Sequence, residues 1–446
     1  MEWGEGGFLG MSGTRMNSSM PNCDQLYHAA TLRRAWRLVQ LGGTAGGVDA
    51  INVDQFAKSA GSELHRIAGQ LRERRYRFQP VRRVKIDKPG GGQRTLGIPT
   101  ISDRIVGQAM RLVIEPSLEA QLASASYAYR PDRDVHRAID KLLEYRRGGY
   151  HWCLESDVEN FFDSIVHSHL MRLLSQHVND RRLLELLRQL LQTCASRRGG
   201  WFKSARGVPQ GSPLSPLLSN LYLDPFDRAL ARRGHKLIRY ADDLVVCCRS
   251  RDDAERARRD AARELGLLGL RIHPAKTRVL DSRQSPLEFL GFLVHPHYLW
   301  PAPLNVDRLE REIDRLTRPS TGRSLAGLLG ELNPLVRSFA HYYRNCQVQG
   351  LYERLDTRIR RRLLPHVLRS GRRRPRNLDH WRALKLVSMT EILLSSEPLE
   401  PAPALYGSFS GRRNRKLSTR KGGGYHGSGM GKKAPAANNR PPRHRK

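Results

Sequence analysis

The chain lacks any Cys-x-x-Cys pair: its six cysteines, Cys23, Cys153, Cys194, Cys247, Cys248 and Cys346, are scattered over 446 residues. That spacing argues against a zinc site and offers no disulfide framework. No run of 18 apolar residues occurs either, and the start, with Glu2 and Glu5, holds no apolar core of signal-peptide length. Neither a membrane span nor a secretory leader is expected, and a reducing cytoplasm is the simplest setting. Met11, Met16 and Met20 are further possible starts. Acids are scarce: 43 Asp and Glu stand against 77 Lys and Arg, a formal charge of +34. An excess of that size predicts a polyanionic partner, nucleic acid first, because each neutralised phosphate releases counterions. Charge alone does not separate an enzyme from a ribosomal or chromatin-like binding protein. The placement of the few acids does.

Two of those acids, Asp242 and Asp243, sit between apolar runs in Leu237-Ile238-Arg239-Tyr240-Ala241-Asp242-Asp243-Leu244-Val245-Val246. β-rich flanks and turn-tolerant Asp predict a hairpin with its acids at the tip, where a hard cation such as Mg²⁺ finds oxygen ligands. Taken by itself, such a stretch is usually just a solvated turn. Residues 152–166 predict a strand delivering Asp157 at its end, then a turn into a helix. Nucleotidyl transfer by two metals needs carboxylates from separate elements converging on ions roughly 3.5–4 Å apart, and Asp157 with Asp242 can form that pair. Between them, Gly207-Val208-Pro209-Gln210-Gly211-Ser212-Pro213 opens into a Leu-rich helix. Backbone N–H groups at such a start can meet a phosphate, and Gln210 can contact a nucleotide.

Elsewhere the pattern is mostly architectural. Leu26, Ala29, Leu32, Trp36 and Val39 predict one amphipathic helix over 24–40, and residues 168–194 predict Leu-rich core helices. His167, His169 and His177 have no acid or cysteine frame around them and are assigned no metal. Residues 76–99 alternate around a Gly90-Gly91-Gly92 turn, which predicts a hairpin with cations on one face, able to close on a triphosphate or simply solvated. Asp252 and Asp253 open a helix whose small face, Ala254, Ala257 and Ala261, packs on a sheet. Leu325, Leu328, Leu329 and Leu332 predict a helix, with Asn333-Pro334 capping the start of another. Arginines crowd 354–374, and 410–446 hold twelve Lys or Arg and no acid. The latter segment cannot bury enough apolar surface to fold alone.

The three acidic and Gly/Pro motifs, in this order, resemble palm motifs A, B and C of reverse transcriptases. The likeness is closest to the enzymes encoded by group II introns and covers roughly residues 75–380. It includes Leu96-Gly97-Ile98-Pro99, Ser126-Tyr127-Ala128-Tyr129-Arg130-Pro131, Gly269-Leu270 leading to Lys276-Thr277, and Phe289-Leu290-Gly291-Phe292. Two departures stand out: the family usually has Gly-Phe-Arg-Pro at 128–131 and commonly Gly-Trp at Ser338-Phe339. The resemblance implies an α+β right-hand polymerase. Residues 1–74 would be an N-terminal extension, 75–300 fingers and palm, 301–380 a helical thumb and maturase region, and 381–446 a basic segment, largely disordered from about 410.

It further implies an RNA-directed DNA polymerase using two Mg²⁺ on Asp157, Asp242 and Asp243. The partners would be an RNA template, group II intron RNA being one candidate, a DNA primer and dNTPs. Lys88, Arg94 and Gln210 would hold the nucleotide, Phe162 would lie beneath its sugar, and Lys276 would donate a proton to pyrophosphate. Arg130, Arg360, Arg361 and Arg362 would contact nucleic acid, and Phe289 to Phe292 would grip the primer end. The HNH nuclease of many relatives carries paired cysteines, and no Cys follows Cys346. Its absence is therefore expected. A splicing cofactor with secondary polymerase activity and a domesticated cellular enzyme are the rival readings.

Overall fold

The computed structural model describes residues 20–87, 93–193, 196–197, 200–201, 205–318 and 323–395. The chain begins with helices α1 (Cys23–Tyr27), α2 (Ala29–Gln40), α3 (Val53–Ala57) and α4 (Ala60–Arg72). The single helix expected over 24–40 is broken at His28, whose backbone is extended and whose ring caps α2 by accepting from the Ala30 N–H. Strands β1 (Arg82–Asp87) and β2 (Gln93–Ile98) form the expected hairpin, antiparallel from Arg82↔Ile98 to Asp87↔Gln93. Long helix α5 (Ile101–Glu119) follows, its cap at Thr100 accepting from the Asp103 N–H.

The palm is built from α6 (Val135–Arg147), β3 (Trp152–Asp157), α7 (Phe161–Ser164), α8 (His167–Ser175) and α9 (Arg181–Gln192), with the short pair β4 (Ser196–Arg197) and β5 (Gly200–Trp201). Then come α10 (Ser215–Arg232), β6 (Lys236–Tyr240), β7 (Asp243–Cys248), α11 (Arg251–Leu267) and β8 (Arg278–Asp281). The strands make one antiparallel sheet in the order β6-β7-β3-β8. Successive side chains alternate faces, and both faces are covered. Leu154, Leu244 and Val246 join the cluster containing the apolar residues of α10 and α11, while Cys153, Ile238, Val245 and Cys247 join the cluster of α6 and the C-terminal helices. As expected, Ala254, Ala257 and Ala261 of α11 are fully buried.

A small sheet of β9 (Leu287–Phe289), β10 (Phe292–Val294) and β11 (Leu299–Pro301) leads into α12 (Pro303–Leu316), α13 (Leu325–Tyr342) and α14 (Gln349–Arg369). Helix α13 runs straight through Asn333-Pro334, where sequence predicts a restart. Leu328, Leu332, Val336 and Phe339 form one buried stripe along it, and burying that stripe outweighs the roughly 3 kcal/mol that an interior proline costs. Asn333 caps nothing in α13; its amide donates to the Lys385 carbonyl (2.7 Å) and its oxygen accepts from the Val387 N–H (3.1 Å).

That bond fastens α15 (Leu378–Ala383) and α16 (Met389–Leu394), which extend the helical region beyond the expected boundary at 380. Buried Asp356 of α14 secures the same segment, accepting from Ser388 Oγ, the Met389 and Thr390 N–H groups and Thr390 Oγ1. The basic segment 410–446 lies outside the described residues. Among the described residues, no helix is long and apolar enough to cross a membrane.

Candidate active site

Strand register assembles the acids. Asp157 ends β3 directly opposite Asp243, the first residue of β7, and the Val158 N–H donates to the Asp242 carbonyl at 3.2 Å. The β6–β7 turn is two residues long, with Ala241 in the left-handed region (φ 58°). Its shape is imposed by Arg239, fully buried in β6. One nitrogen of that guanidinium donates to the Ala241 carbonyl (3.0 Å) and to Asn220 Oδ1 (3.1 Å), while the rest makes a two-point bond to Asp227 of α10 (2.7 and 2.6 Å). Neither Arg239 nor Asp227 was anticipated. An arginine inside an apolar strand and an aspartate inside a Leu-rich helix were the signals that could have found them, since charges buried to that degree are paired.

Asp242 is half-buried, and its carboxyl is pushed up to about 6 by desolvation and by the neighbouring Asp157 charge. Lys276, on a short helical turn after the Gly269 bend, bonds Asp157 Oδ2. Burial pulls the Lys276 ammonium down, but the bond to Asp157 and the charges of Asp157, Asp243 and Asp242 outweigh it and hold its pKa above the ordinary value. Two carboxyls near enough for the Asp157 charge to act on Asp242, one of them already meeting a cation, are a donor set suited to a hard divalent ion. Among the described residues no three His, Cys, Asp or Glu side chains converge as a finished cage. Such a site would take its remaining ligands from substrate phosphates, as Mg²⁺ sites commonly do.

The Gln210 loop is equally ordered. The Gly207 N–H donates to the Ile165 carbonyl and the Val208 N–H to that of Phe162, tying the Gln210 loop to the turn after Asp157. Ser215 Oγ closes the loop on the Pro209 carbonyl at 2.7 Å. A Cβ on Gly211 would collide with the Gly97 carbonyl, so that glycine permits the hairpin base to seat on the loop. Gln210 is half-buried at this junction. Of the two adjacent rings, Phe161 lies in the core, whereas Phe162 is partly exposed. Arg94 pairs with Ile86 in the hairpin, and Lys88 lies outside the described residues.

Two expectations about arginines change. Arg130 is buried, paired with Glu119 (2.7 Å), and donates to the carbonyls of Ala123 and Ser126, so its guanidinium holds the loop together instead of facing a ligand. On α14, Arg362 turns toward α12, where it meets Asp314 (3.2 Å), beside the Arg358–Asp314 pair (2.8 Å). The four-residue helical spacing puts Arg354, Arg358 and Arg362 on that one face, opposite the acids of α12. Arg361 is exposed, and Arg360 is half-exposed with a bond to Thr357 Oγ1.

The β9–β10 turn is held from α13. Leu290 and Gly291 are both left-handed (φ 52° and 77°), and Tyr342 and Tyr343 donate their hydroxyls to the carbonyls of Leu290 and Gly291 at 2.9 and 3.0 Å. Phe292 stacks on Tyr342 with ring centroids 5.3 Å apart.

Comparison with known proteins agrees with this geometry. Residues 86–294 match the model of the reverse transcriptase (RNA-dependent DNA polymerase) family, and residues 306–386 match the group II intron maturase-specific domain. The chain belongs to the group II intron reverse transcriptase and maturase family. Protein YkfC of Escherichia coli (strain K12) is 31% identical over 272 residues, which cover 52% of this chain and 71% of YkfC. The group II intron-encoded protein LtrA of Lactococcus lactis subsp. cremoris is 30% identical over 206 residues, 46% of this chain and 34% of LtrA. A chain of a solved partial Cas6-RT-Cas1–Cas2 complex is 29% identical, covering 59% of this chain and 45% of that one at a TM-score of 0.37. The chain thus spans about a third of LtrA and less than half of that complex chain. The matched family is that of RNA-directed DNA polymerases, which generally use divalent metal ions, and its reverse transcriptase and maturase domains imply RNA and DNA binding.

Proposed function

We propose that the protein extends a DNA primer on an RNA template, using two Mg²⁺ at Asp157, Asp242 and Asp243, and that its C-terminal helices bind intron RNA. The observation that carries this is the convergence of acids from β3 and the β6–β7 turn at one end of the palm sheet. Bound there, the metals would activate the primer hydroxyl and stabilise the leaving phosphate oxygen. Gln210, at the seam between fingers and palm, orients the nucleotide, while Lys88 and Arg94 neutralise its triphosphate. Lys276, kept protonated by its acidic neighbours, can give its proton to pyrophosphate. Arg360 and Arg361 are the α14 cations that remain directed to RNA. The match to the maturase domain favours a second role in splicing. The test is RNA-templated extension by the purified protein with Mg²⁺ and with EDTA; no extension in Mg²⁺ would refute the polymerase reading.

Phe162 is the ring proposed to exclude ribonucleotides. It lies five residues after Asp157, partly exposed beside the Gln210 loop, while Phe161 fills the core with its centroid 5.3 Å away. A ring under the sugar admits a 2′-hydrogen and crowds a 2′-hydroxyl. Phe162→Val should therefore preserve dNTP use and raise rNTP incorporation. Phe161→Val should lower stability and depress incorporation of both alike. The ratio of dNTP to rNTP efficiency for the two variants decides it, and an unchanged ratio in Phe162→Val would assign the gate elsewhere.

A further inference from the structure

We infer that Tyr129, not Arg130, is the nucleic-acid contact of the 126–131 loop, its phenol ring packing against a nucleotide of the primer–template where the strands cross the catalytic turn. The inference rests on the polymerase reading and adds a residue to it.

Tyr129 is held in the left-handed region (φ 60°) and is 43% exposed. That conformation is rare and costly for a bulky residue, and it persists only where the surroundings impose it. Here they do. Ala128 is fully buried and its carbonyl accepts from the Asn220 amide at 2.7 Å. Arg130 is buried and saturated by Glu119 and backbone carbonyls. Both neighbours are thus fixed inward, and the residue between them is presented outward at a cost in backbone strain.

The position of that ring is also set. Ser126 bridges Arg239 in parallel, the Tyr127 N–H donates to the Arg239 carbonyl (2.9 Å) and the Arg239 N–H donates to that of Ala125 (2.8 Å). Asn220, which holds Ala128, is itself bonded by Arg239, the residue that shapes the catalytic turn. Tyr129 is therefore positioned by the same buried node as the acids. It also stands beside a series of rings that runs into the core. Tyr240 lies close enough that the Tyr129 hydroxyl raises its pKa, after burial as the main cause. Beyond it come Tyr342, stacked on Phe292, and His136, whose ring is 5.9 Å from that of Tyr342.

The test uses Tyr129→Phe, Tyr129→Ala and Tyr129→Gly in the full chain. It reads the Kd for an RNA/DNA primer–template in EDTA, where chemistry is silent, the KM and kcat of extension in Mg²⁺, and the Tm. Phe should behave as Tyr. Ala and Gly should weaken binding roughly tenfold, the order expected for one lost stacking contact, and raise KM more than they lower kcat. Gly should keep or raise the Tm, because it removes the strain. A ring that merely supports the fold would give the opposite sign, a Tm falling in Gly together with activity. That result, unchanged binding in Ala, or a loss in Phe equal to that in Ala would each overturn the assignment. Because wild-type extension is measured alongside, failure of the polymerase reading would show as an inactive wild type, separately from any of these.

Discussion

Asp157→Ala or Asp242→Ala should abolish primer extension on RNA while leaving RNA binding nearly intact. One carboxylate ends β3 and the other sits in the β6–β7 turn, and as the proposed ligands of both metals neither could substitute for the other. The cations proposed to meet phosphate along the duplex, Arg361 among them, are elsewhere and are untouched. Asp242 adds a pH signature. Its folded pKa, about 6, lies above the ordinary carboxylate value near 4, because burial and the Asp157 charge disfavour ionisation. The folded, metal-free protein therefore binds more protons than the unfolded chain between roughly pH 4 and 6, and this group costs stability as pH rises through that window. Asp242→Asn should accordingly stabilise the metal-free protein above pH 6, by on the order of 2 kcal/mol, and give no gain near pH 4. Thermal unfolding in EDTA at the two pH values measures this. More than a small percentage of residual extension by either alanine variant would refute the metal-ligand assignment.

What sequence makes legible here is whatever a local pattern encodes. Asp157 and Asp242 were visible because apolar strands end at them, and the alanine face of α11 because helical spacing repeats it. Several of the misreadings share one physical cause, a side chain whose partner lies outside its own stretch of the chain. Asn333 before a proline looks like a cap, yet its partners are 52 and 54 residues on, at Lys385 and Val387. Arg362 looks like free charge until α12 brings Asp314 beneath it, and Arg130 looks like a ligand contact until Glu119 is found beside it. The ion pair of Lys276 with Asp157 spans 119 residues. Cationic patches are over-read from sequence for this reason: composition counts charges, whereas folding decides which of them are already neutralised.

Arg239→Met should be the most damaging substitution outside the acids. Arg239 and Asp227 are each about 1% exposed and joined by two charge-assisted hydrogen bonds, so removing the arginine leaves a carboxylate buried without its counter-charge. Breaking such a pair costs roughly 3–5 kcal/mol, a large share of the stability of an ordinary domain. The sign with pH follows from Asp227, whose pKa burial already raises and Arg239 partly lowers. Without Arg239 it rises further, so the loss should be greatest near pH 8 and shrink as falling pH neutralises the carboxyl. Replacing both partners, Arg239→Met with Asp227→Leu, removes the orphaned charge and should recover most of the stability. Activity should not follow it back. The Ala241 carbonyl would still lack its donor and Asn220 would keep only the bond from Ser126 Oγ, leaving the left-handed turn without the bond that aligns it. Urea unfolding and single-nucleotide incorporation on the same preparations separate the two roles. A double variant recovering both would make Arg239 a packing residue only, whereas stability without activity assigns it to aligning the catalytic turn.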